Sequence, residues 1–228
     1  MIDISKYEVA GFEHAIRGMR NPMNSWDKSD SYFGFYYEHP DDPEPEYRQE
    51  VGPSDLKLMK KLCKAGTDER KFMRMIVVYA DITAPMYWWK EFDTYKVGTV
   101  RNSCSTMHKI TSKRFSYEDF STDQLMVSGT ENLMETVVNL NELRYAYVNY
   151  DDWNNDGYPK PSKKDIWYNI IQLLPSSYNT KSTVMLNYEV LANMYFVRKN
   201  HKLDEWHKFC DWALTLPYFK QIIGIEEE

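Results

Sequence analysis

The stretch that decides the fold is residues 182–212, which read STVMLNYEVLANMYFVRKNHKLDEWHKFCDW. Its apolar residues recur at helical spacings of three, four and seven, which predicts one buried stripe along a first helix; they are Val184, Leu191, Met194 and Tyr195. Asp204 is the predicted N-cap of a second helix. The apolar positions of that second helix are Trp206, Phe209, Cys210 and Trp212.

Three polar residues, Asn187, Asn193 and Arg198, lie off the apolar stripe of the first predicted helix. Asn187 and Arg198 are eleven residues apart, about three helical turns, so we expect them to share one face. The basic run that starts at Arg198 suits the negative end of the helix dipole. A core helix with a basic end also explains this pattern without any function, so both interpretations stay open on periodicity alone.

Composition narrows the class of protein. The chain has 228 residues, 43% hydrophobic and 27% charged, which is typical of a soluble globular protein of one domain. The 18 tyrosines and 7 tryptophans favour aromatic grooves or subunit interfaces. A net charge of −6 argues against sequence-independent binding of nucleic acid. Three dispersed cysteines predict neither a disulfide framework nor a thiolate metal site. No membrane span or signal peptide is recognisable, so a cytoplasmic location is expected.

The order of predicted elements indicates an α+β fold. A helix capped by Ser54 and ended by Gly66 precedes a β-branched strand at 71–83, and Pro85 then opens a short helix. Two more helices are predicted at 131–149 and 162–174, the second capped by Ser162. Residues 38–54 are acidic and proline-rich, which predicts a mobile excursion. The turn-rich residues 21–31 are either an active-site loop or a surface connector.

A second informative stretch is residues 88–109, WWKEFDTYKVGTVRNSCSTMHK. Cations alternate with hydroxyl and amide side chains around a turn at Gly98, an arrangement that can donate hydrogen bonds to a phosphate. The same pattern is also typical of a polar surface strand with ordinary charges. The cations are Lys96, Arg101, His108 and Lys109, and the hydroxyl and amide residues are Thr99, Asn102, Ser103, Ser105 and Thr106.

The residue order N-x-x-x-L-x-N-x-x-x-x-R, followed after a spacer by tryptophan, resembles the C-terminal motif of the flavin-dependent thymidylate synthases, the ThyX family. The matching residues are Asn187, Leu191, Asn193, Arg198 and Trp206. Upstream, Leu174-Pro175 and Asn179-Thr180 resemble the L-P-x-x-x-Y-T that precedes this motif. One departure is Glu189, which occupies the place of the family's arginine in N-A-R.

The resemblance extends with further departures into residues 88–109. Thr94-Tyr95-Lys96 lies where the family has R-H-R, so only Lys96 keeps a cation. Thr99 lies on the first conserved serine of that motif and Cys104 or Ser105 on the second. The N-E pair of the family corresponds to Arg101-Asn102 or to Asn102-Ser103, depending on a register of one residue.

The resemblance implies a ThyX-like α+β fold over residues 1–228, with a small antiparallel sheet and several long helices, assembled as a homotetramer. It implies FAD as cofactor, and methylenetetrahydrofolate and NADPH as co-substrates in the methylation of dUMP. It assigns no catalytic side chain and no metal. The cofactor contacts that it implies are Asn187, Asn193, Tyr95 and Lys96, and the substrate contacts are Arg198, Thr99, Arg101, Asn102 and Ser105.

Three functional hypotheses follow. The first is a divergent flavin enzyme that transfers a methyl or one-carbon group to dUMP or a related pyrimidine nucleotide. The second is a non-catalytic nucleotide-binding or regulatory protein on the same homotetrameric fold. The third is a structural assembly protein that keeps only the tetramer. Glu189 is expected to repel an anionic ligand, because an acid cannot replace an arginine at an anion site.

Overall fold

The computed structural model describes residues 2–39, 46–154 and 157–225. The strands are β1 (Asp3–Ala10), β2 (Tyr32–Tyr36), β3 (Glu46–Glu50), β4 (Val77–Pro85), β5 (Thr99–Ser103) and β6 (Asn179–Asn187). The helices are α1 (Phe12–Arg20), α2 (Pro53–Ala65), α3 (Met86–Phe92), α4 (Thr106–Lys109), α5 (Val127–Val148), α6 (Lys163–Leu173), α7 (Tyr188–Arg198), α8 (Asp204–Leu214) and α9 (Phe219–Ile222). These elements confirm the α+β class. None of the described helices is long and apolar enough to cross a membrane.

The described strands form two sheets. The larger has the strand order β1-β4-β6-β5, and the smaller is the antiparallel pair of β2 and β3, with Tyr32 opposite Glu50 and Tyr36 opposite Glu46. Strand β3 corrects the prediction of a mobile excursion at 38–54, because residues 46–50 of that range pair with β2. Residues 40–45 of the same range lie outside the described residues.

The chain divides into two compact units. The first unit comprises Met1–Asp3, Ile82–Thr94 and Asn102–Thr183, and the second comprises Ile4–Asp81, Tyr95–Arg101 and Val184–Glu228. In the first unit, α5 and α6 share a buried apolar cluster with the segment between α4 and α5. Its fully or nearly buried members are Ile110, Phe115, Phe120, Leu133, Leu140 and Ile170.

The core of the second unit is built around Tyr188, the first residue of α7. Its ring makes edge-to-face contacts with Phe12 and Phe219, at centroid distances of 5.7 and 5.1 Å. Its hydroxyl donates a 2.7 Å hydrogen bond to the carbonyl of Pro217, so the buried polar group is satisfied. Because burial disfavours the phenolate, the pKa of Tyr188 is raised far above its ordinary value.

The segment around Asn187 corrects the predicted helix. Residues 182–187 belong to β6, and Thr180, Ser182, Val184 and Leu186 are buried at alternate positions. This two-residue period is the strand period, so Val184 does not belong to a helical stripe. Asn187 is the N-cap of α7, and it therefore does not share a helical face with Arg198.

Helix starts were predicted with mixed success. The Ser162 cap of α6 and the end of α2 at Gly66 are confirmed. Helix α2, however, starts at Pro53 after Gly52, and the remote carboxylate of Asp30 accepts hydrogen bonds from the backbone N–H groups of Ser54 and Asp55. The carboxylate of Asp30 therefore caps the start of α2, the role that was predicted for Ser54.

The predicted starts of α8 and of β4 differ from the observed ones. Asp204 lies in the first turn of α8 rather than at the cap, which is Leu203. An acidic residue in the first turn still suits the helix dipole. The first half of the predicted strand at 71–83 is part of a 3-10 helix, Glu69–Met75, and β4 starts at Val77.

Candidate functional site

Most of the residues that the sequence singled out lie in the second unit: Tyr95, Lys96, Thr99 and Arg101 in and before β5, and Asn187, Asn193 and Arg198 in and around α7. Asn102 and Ser105 belong to the first unit. There the Ser105 hydroxyl caps the short helix α4 by accepting from the backbone N–H of His108, at 3.2 Å. Asn102 is exposed near the end of β5.

Arg198, at the end of α7, is the best-defined element of the site. Its Nε donates a 2.8 Å hydrogen bond to the hydroxyl of Tyr95, although the two residues are 103 positions apart. Its guanidinium carbon lies 4.7 Å from the ring centroid of Trp206 and 5.5 Å from that of Tyr95. These cation–π contacts fix the orientation of a planar cation. Arg198 and Tyr95, predicted as substrate and cofactor contacts, are therefore brought together.

Trp206 was recognised as part of the motif but was given no role. It is fully buried and it makes edge-to-face ring contacts with Tyr95 and Phe209, at 6.2 and 5.5 Å. Its ring is thus the base on which the guanidinium of Arg198 rests. The helix period around α8 already showed that Trp206 would be buried, but only the tertiary structure shows what lies over it.

The turn that follows Tyr95 packs against Asn187. Gly98 has φ of +78°, and a Cβ atom built there would lie 2.5 Å from Nδ2 of Asn187. Asn187 Oδ1 accepts a 3.0 Å hydrogen bond from the backbone N–H of Val190, and the Thr99 hydroxyl donates to the carbonyl of Tyr95. Two residues predicted as ligand contacts therefore also hold the turn and the helix start together.

Gly98→Ala is expected to destabilise the protein for two reasons. A side chain at positive φ costs about 1–2 kcal/mol, and the new Cβ would also displace Asn187. Gly157→Ala is the matched control, since Gly157 has φ of +89° but no heavy atom within 4 Å of the Cβ position. Urea unfolding should show a larger loss of stability for Gly98→Ala. Equal losses for the two variants would show that the contact with Asn187 contributes nothing.

Glu189 has an environment that the sequence did not reveal. Its carboxylate pairs with two arginines of the 3-10 helix: Arg70 Nε lies 3.2 Å from Oε1, and Arg74 bonds to both oxygens. Burial alone would raise the pKa of Glu189, but the hydrogen bond and charge of Arg74, together with those of Arg70, lower it below the ordinary value. Glu189 is consequently ionised at neutral pH.

The expectation that Glu189 repels an anion stays a prediction, but this cluster places two cations beside the carboxylate. Two cations and one carboxylate leave a net positive charge, and the side chains of Arg74 and Arg70 are 47% and 27% exposed. The position that carries an arginine in the ThyX pattern is therefore an acid held between arginines. Arg70 and Arg74 lie in a 3-10 helix where a strand was predicted from residue 71 onward, so nothing in the sequence pattern pointed to this cluster.

Lys96 and Asn193 are exposed, and Arg101 is half-buried in β5. Among the described residues, no group of His, Cys, Asp and Glu is arranged to hold a metal ion. The Tyr95 hydroxyl and the Arg198 guanidinium are adjacent hydrogen-bond donors, and this pair suits an anionic or carbonyl-bearing ligand.

No family profile and no curated protein matches the sequence. Solved structures do match. Thymidylate Synthase X (ThyX) from Helicobacter pylori, in a crystal structure with FAD and dUMP, is similar with a TM-score of 0.65 at 13% identity, over 99% of this chain and 98% of that chain. A second structure of flavin-dependent thymidylate synthase ThyX from the same organism, also complexed with FAD and dUMP, gives a TM-score of 0.63 at 14% identity, over 98% and 97%. The chain therefore has the ThyX fold along nearly its whole length.

Proposed function

We propose that this protein is a divergent ThyX-like flavoprotein that binds a pyrimidine deoxynucleotide and FAD and transfers a methyl or one-carbon group to dUMP or a related nucleotide. The observation that carries the proposal is Arg198, a motif residue held by the Tyr95 hydroxyl and the Trp206 ring within the ThyX fold. A cation fixed in this way is preorganised for a planar anionic or carbonyl-bearing ligand.

The hydrogen-bond donors of Tyr95, Lys96 and Asn193 suit both a pyrimidine nucleotide and FAD. The Tyr95 hydroxyl accepts from Arg198 and can still donate its own proton, and Lys96 and Asn193 present exposed donors. Phosphate and carbonyl oxygens are the acceptors that such donors prefer. Asn187 is the weakest of the implied contacts, because its side-chain oxygen already caps α7 and its amide nitrogen packs against Gly98.

In this proposal the flavin and the protein side chains have different roles. When bound, a reduced flavin supplies the reducing equivalents for the transfer. Arg198 would donate to an oxygen of the nucleotide. The cation–π contact with the ring of Trp206 would keep the guanidinium oriented toward that oxygen. The contact between Gly98 and Asn187 would hold the turn that follows Tyr95 against the start of α7.

The first experiment is an absorbance spectrum of the purified protein, with mass spectrometry of any small molecule released by denaturation. A flavin spectrum supports the enzyme hypothesis. A bound nucleotide without flavin, and no flavin uptake after incubation with FAD, supports the non-catalytic alternative. One observation favours that alternative: Asn187, implied as a flavin contact, already uses its side-chain oxygen to accept from the backbone N–H of Val190.

Arg198→Ala is expected to weaken nucleotide binding by about 1.5–3 kcal/mol, the range for a charge-assisted hydrogen bond. Isothermal titration with dUMP measures this loss. Tyr95→Phe tests the orientation of Arg198 separately from its charge, because it removes the 2.8 Å hydrogen bond to Arg198 and keeps both the ring and the cation. It should reduce affinity much less. If Arg198→Ala lowers the melting temperature strongly and leaves the affinity unchanged, Arg198 is a structural residue at the helix end.

A homotetramer is expected from the same proposal, since ThyX-like sites are shared between subunits and closed symmetry is usual for soluble oligomers. Several large aromatic side chains of the described β2–β3 pair that do not line a cleft are exposed, among them Phe35, Tyr36 and Tyr47. Light scattering at micromolar concentration is expected to give about four times the 27.2 kDa chain mass. A monomer in this measurement would eliminate a site shared between subunits.

A further inference from the structure

A separate cleft of the second unit lies between one side of α1 and residues 26–33. Its volume is about 400 Å³, within the range of small-molecule sites. Glu13, Ile16, Arg17 and Arg20 line one wall, and their spacing of three, four and seven residues puts them on a single face of α1. None of these residues belongs to the proposed flavin and nucleotide site.

We call this cavity the α1 cleft. Hydrogen bonds within the protein already fix its Arg20 side. Arg20 is 4% exposed, and its guanidinium donates to the Asp55 carboxylate at 2.6 Å and to the carbonyls of Ser25 and Lys28 at 3.1 and 2.8 Å. Asp55 in turn accepts from the hydroxyls of Ser29 and Ser31. Because these bonds already fix residues 25–31 against α1, a ligand would not have to order the segment.

The opposite wall of the α1 cleft is aromatic. Trp26 and Tyr32 are 50% and 46% exposed. Trp26 Nε1 donates to Asn21 Oδ1 at 2.8 Å, and the Tyr32 hydroxyl donates to the carbonyl of Phe35 at 2.7 Å. The rings are thus oriented by the protein while their surfaces remain accessible to a planar ligand.

The rim of the α1 cleft carries one exposed cation and one exposed carboxylate, Arg17 and Glu13, on adjacent turns of α1. Arg17 can donate to an anionic group, and its Nη2 lies 3.5 Å from Nδ1 of His14. Glu13 can accept from a hydroxyl or a ring N–H. Two accessible aromatic side chains, one cation and one acceptor match a bicyclic heteroaromatic ring that carries a hydroxylated, singly phosphorylated group.

We propose that the α1 cleft is a second ligand site, which takes a purine nucleoside monophosphate or a compound of the same chemistry. The ring stacks against Trp26 and Tyr32, the phosphate lies at Arg17, and a sugar hydroxyl or ring N–H donates to Glu13. Stacking on tryptophan favours the larger purine over a pyrimidine, because the stabilisation grows with the contact area of the rings.

The test is isothermal titration of the full chain with AMP, adenosine and inorganic phosphate. AMP is expected to bind saturably, and adenosine at least about tenfold more weakly, since a charge-assisted contact is lost. Arg17→Ala should reduce AMP affinity at least about tenfold and leave adenosine affinity unchanged. Trp26→Ala should weaken both ligands, and Trp26→Phe should retain most of the affinity.

Lys28→Ala is the matched control, because it removes a cation from the same segment whose side chain does not line the cleft and keeps the carbonyl that Arg20 uses. It should leave AMP binding unchanged, and so should Arg198→Ala, which separates this site from the proposed flavin and nucleotide site. The proposal is overturned if AMP does not bind saturably, or if Arg17→Ala and Lys28→Ala reduce its affinity equally.

Discussion

Asp55→Ala is expected to lower the free energy of unfolding by about 3–5 kcal/mol, the cost of removing one partner from a buried ion pair. Asp55 is fully buried, and its Oδ1 accepts from Arg20 Nε at 2.6 Å. Its Oδ2 accepts from the hydroxyls of Ser29 and Ser31, at 2.6 and 2.7 Å. The variant would leave the guanidinium of Arg20, itself 4% exposed, without its counter-charge.

Urea unfolding at pH 7 measures the effect of Asp55→Ala. The control is Asp68→Ala, which removes a carboxylate that is 89% exposed and lies 3.8 Å from Lys71. Exposed pairs of this kind contribute little, so the control should resemble the unchanged protein. If Asp55→Ala and Asp68→Ala unfold alike, the carboxylate of Asp55 does not hold residues 25–31 to α2.

The pH dependence of stability gives an independent check on Asp55. Burial by itself would raise the pKa of this carboxyl, but hydrogen bonds from Ser29, Ser31 and Arg20 outweigh burial and hold the pKa below the ordinary 3.8. A lowered folded-state pKa contributes stability above the unfolded-state pKa, and this stability is lost as the pH falls through the folded-state pKa. The unchanged protein should therefore lose stability below about pH 4, and Asp55→Asn should lose less over the same range.

The second large effect concerns catalysis: methylation of dUMP is expected to be at least about a hundredfold slower than is usual for ThyX enzymes. Lys96 is the only cation where the family has R-H-R, and the arginine of N-A-R is replaced by Glu189. Each lost charge-assisted contact corresponds to about 1.5–3 kcal/mol, or roughly tenfold to a hundredfold in binding. Arg70 and Arg74 do not fully compensate, because both are engaged by the Glu189 carboxylate.

The assay combines purified protein with dUMP, methylenetetrahydrofolate, NADPH and added FAD, and follows dTMP. The informative variant is the double exchange Glu189→Arg with Arg74→Glu, which keeps an ion pair and returns the cation to position 189. It should bind dUMP or FAD more tightly than the unchanged protein. Turnover by the unchanged protein at rates normal for ThyX enzymes would contradict this prediction and show that other residues replace the lost cations.

The sequence determined those features whose cause lies within a few residues. The capping box of Ser162 and Asp165 specifies the start of α6, because a side chain bonds to a backbone group three residues away. Helix α5 was predicted at 131–149 and extends from Val127 to Val148. Its apolar residues at spacings of three and four pack on one apolar cluster; they are Leu133, Val137, Leu140, Leu143 and Tyr147. The motif around α7 also pointed to the ThyX fold, because the order of its residues survives even where its charges do not.

The tertiary structure decided what depends on the path of the chain. Local spacing placed Asn187 within a helix, but pairing in the sheet keeps residues 179–187 extended and makes Asn187 a cap. The sequence shows Glu189 as an acid at an expected anion site, whereas only the fold shows that Arg70 and Arg74, 119 and 115 residues earlier, pair with it. The charge of a site is the sum of groups brought within a few ångströms, and Coulomb interactions depend on that distance and not on separation in sequence. A sequence alone therefore names the charged residues, whereas only the folded chain decides which of them act together.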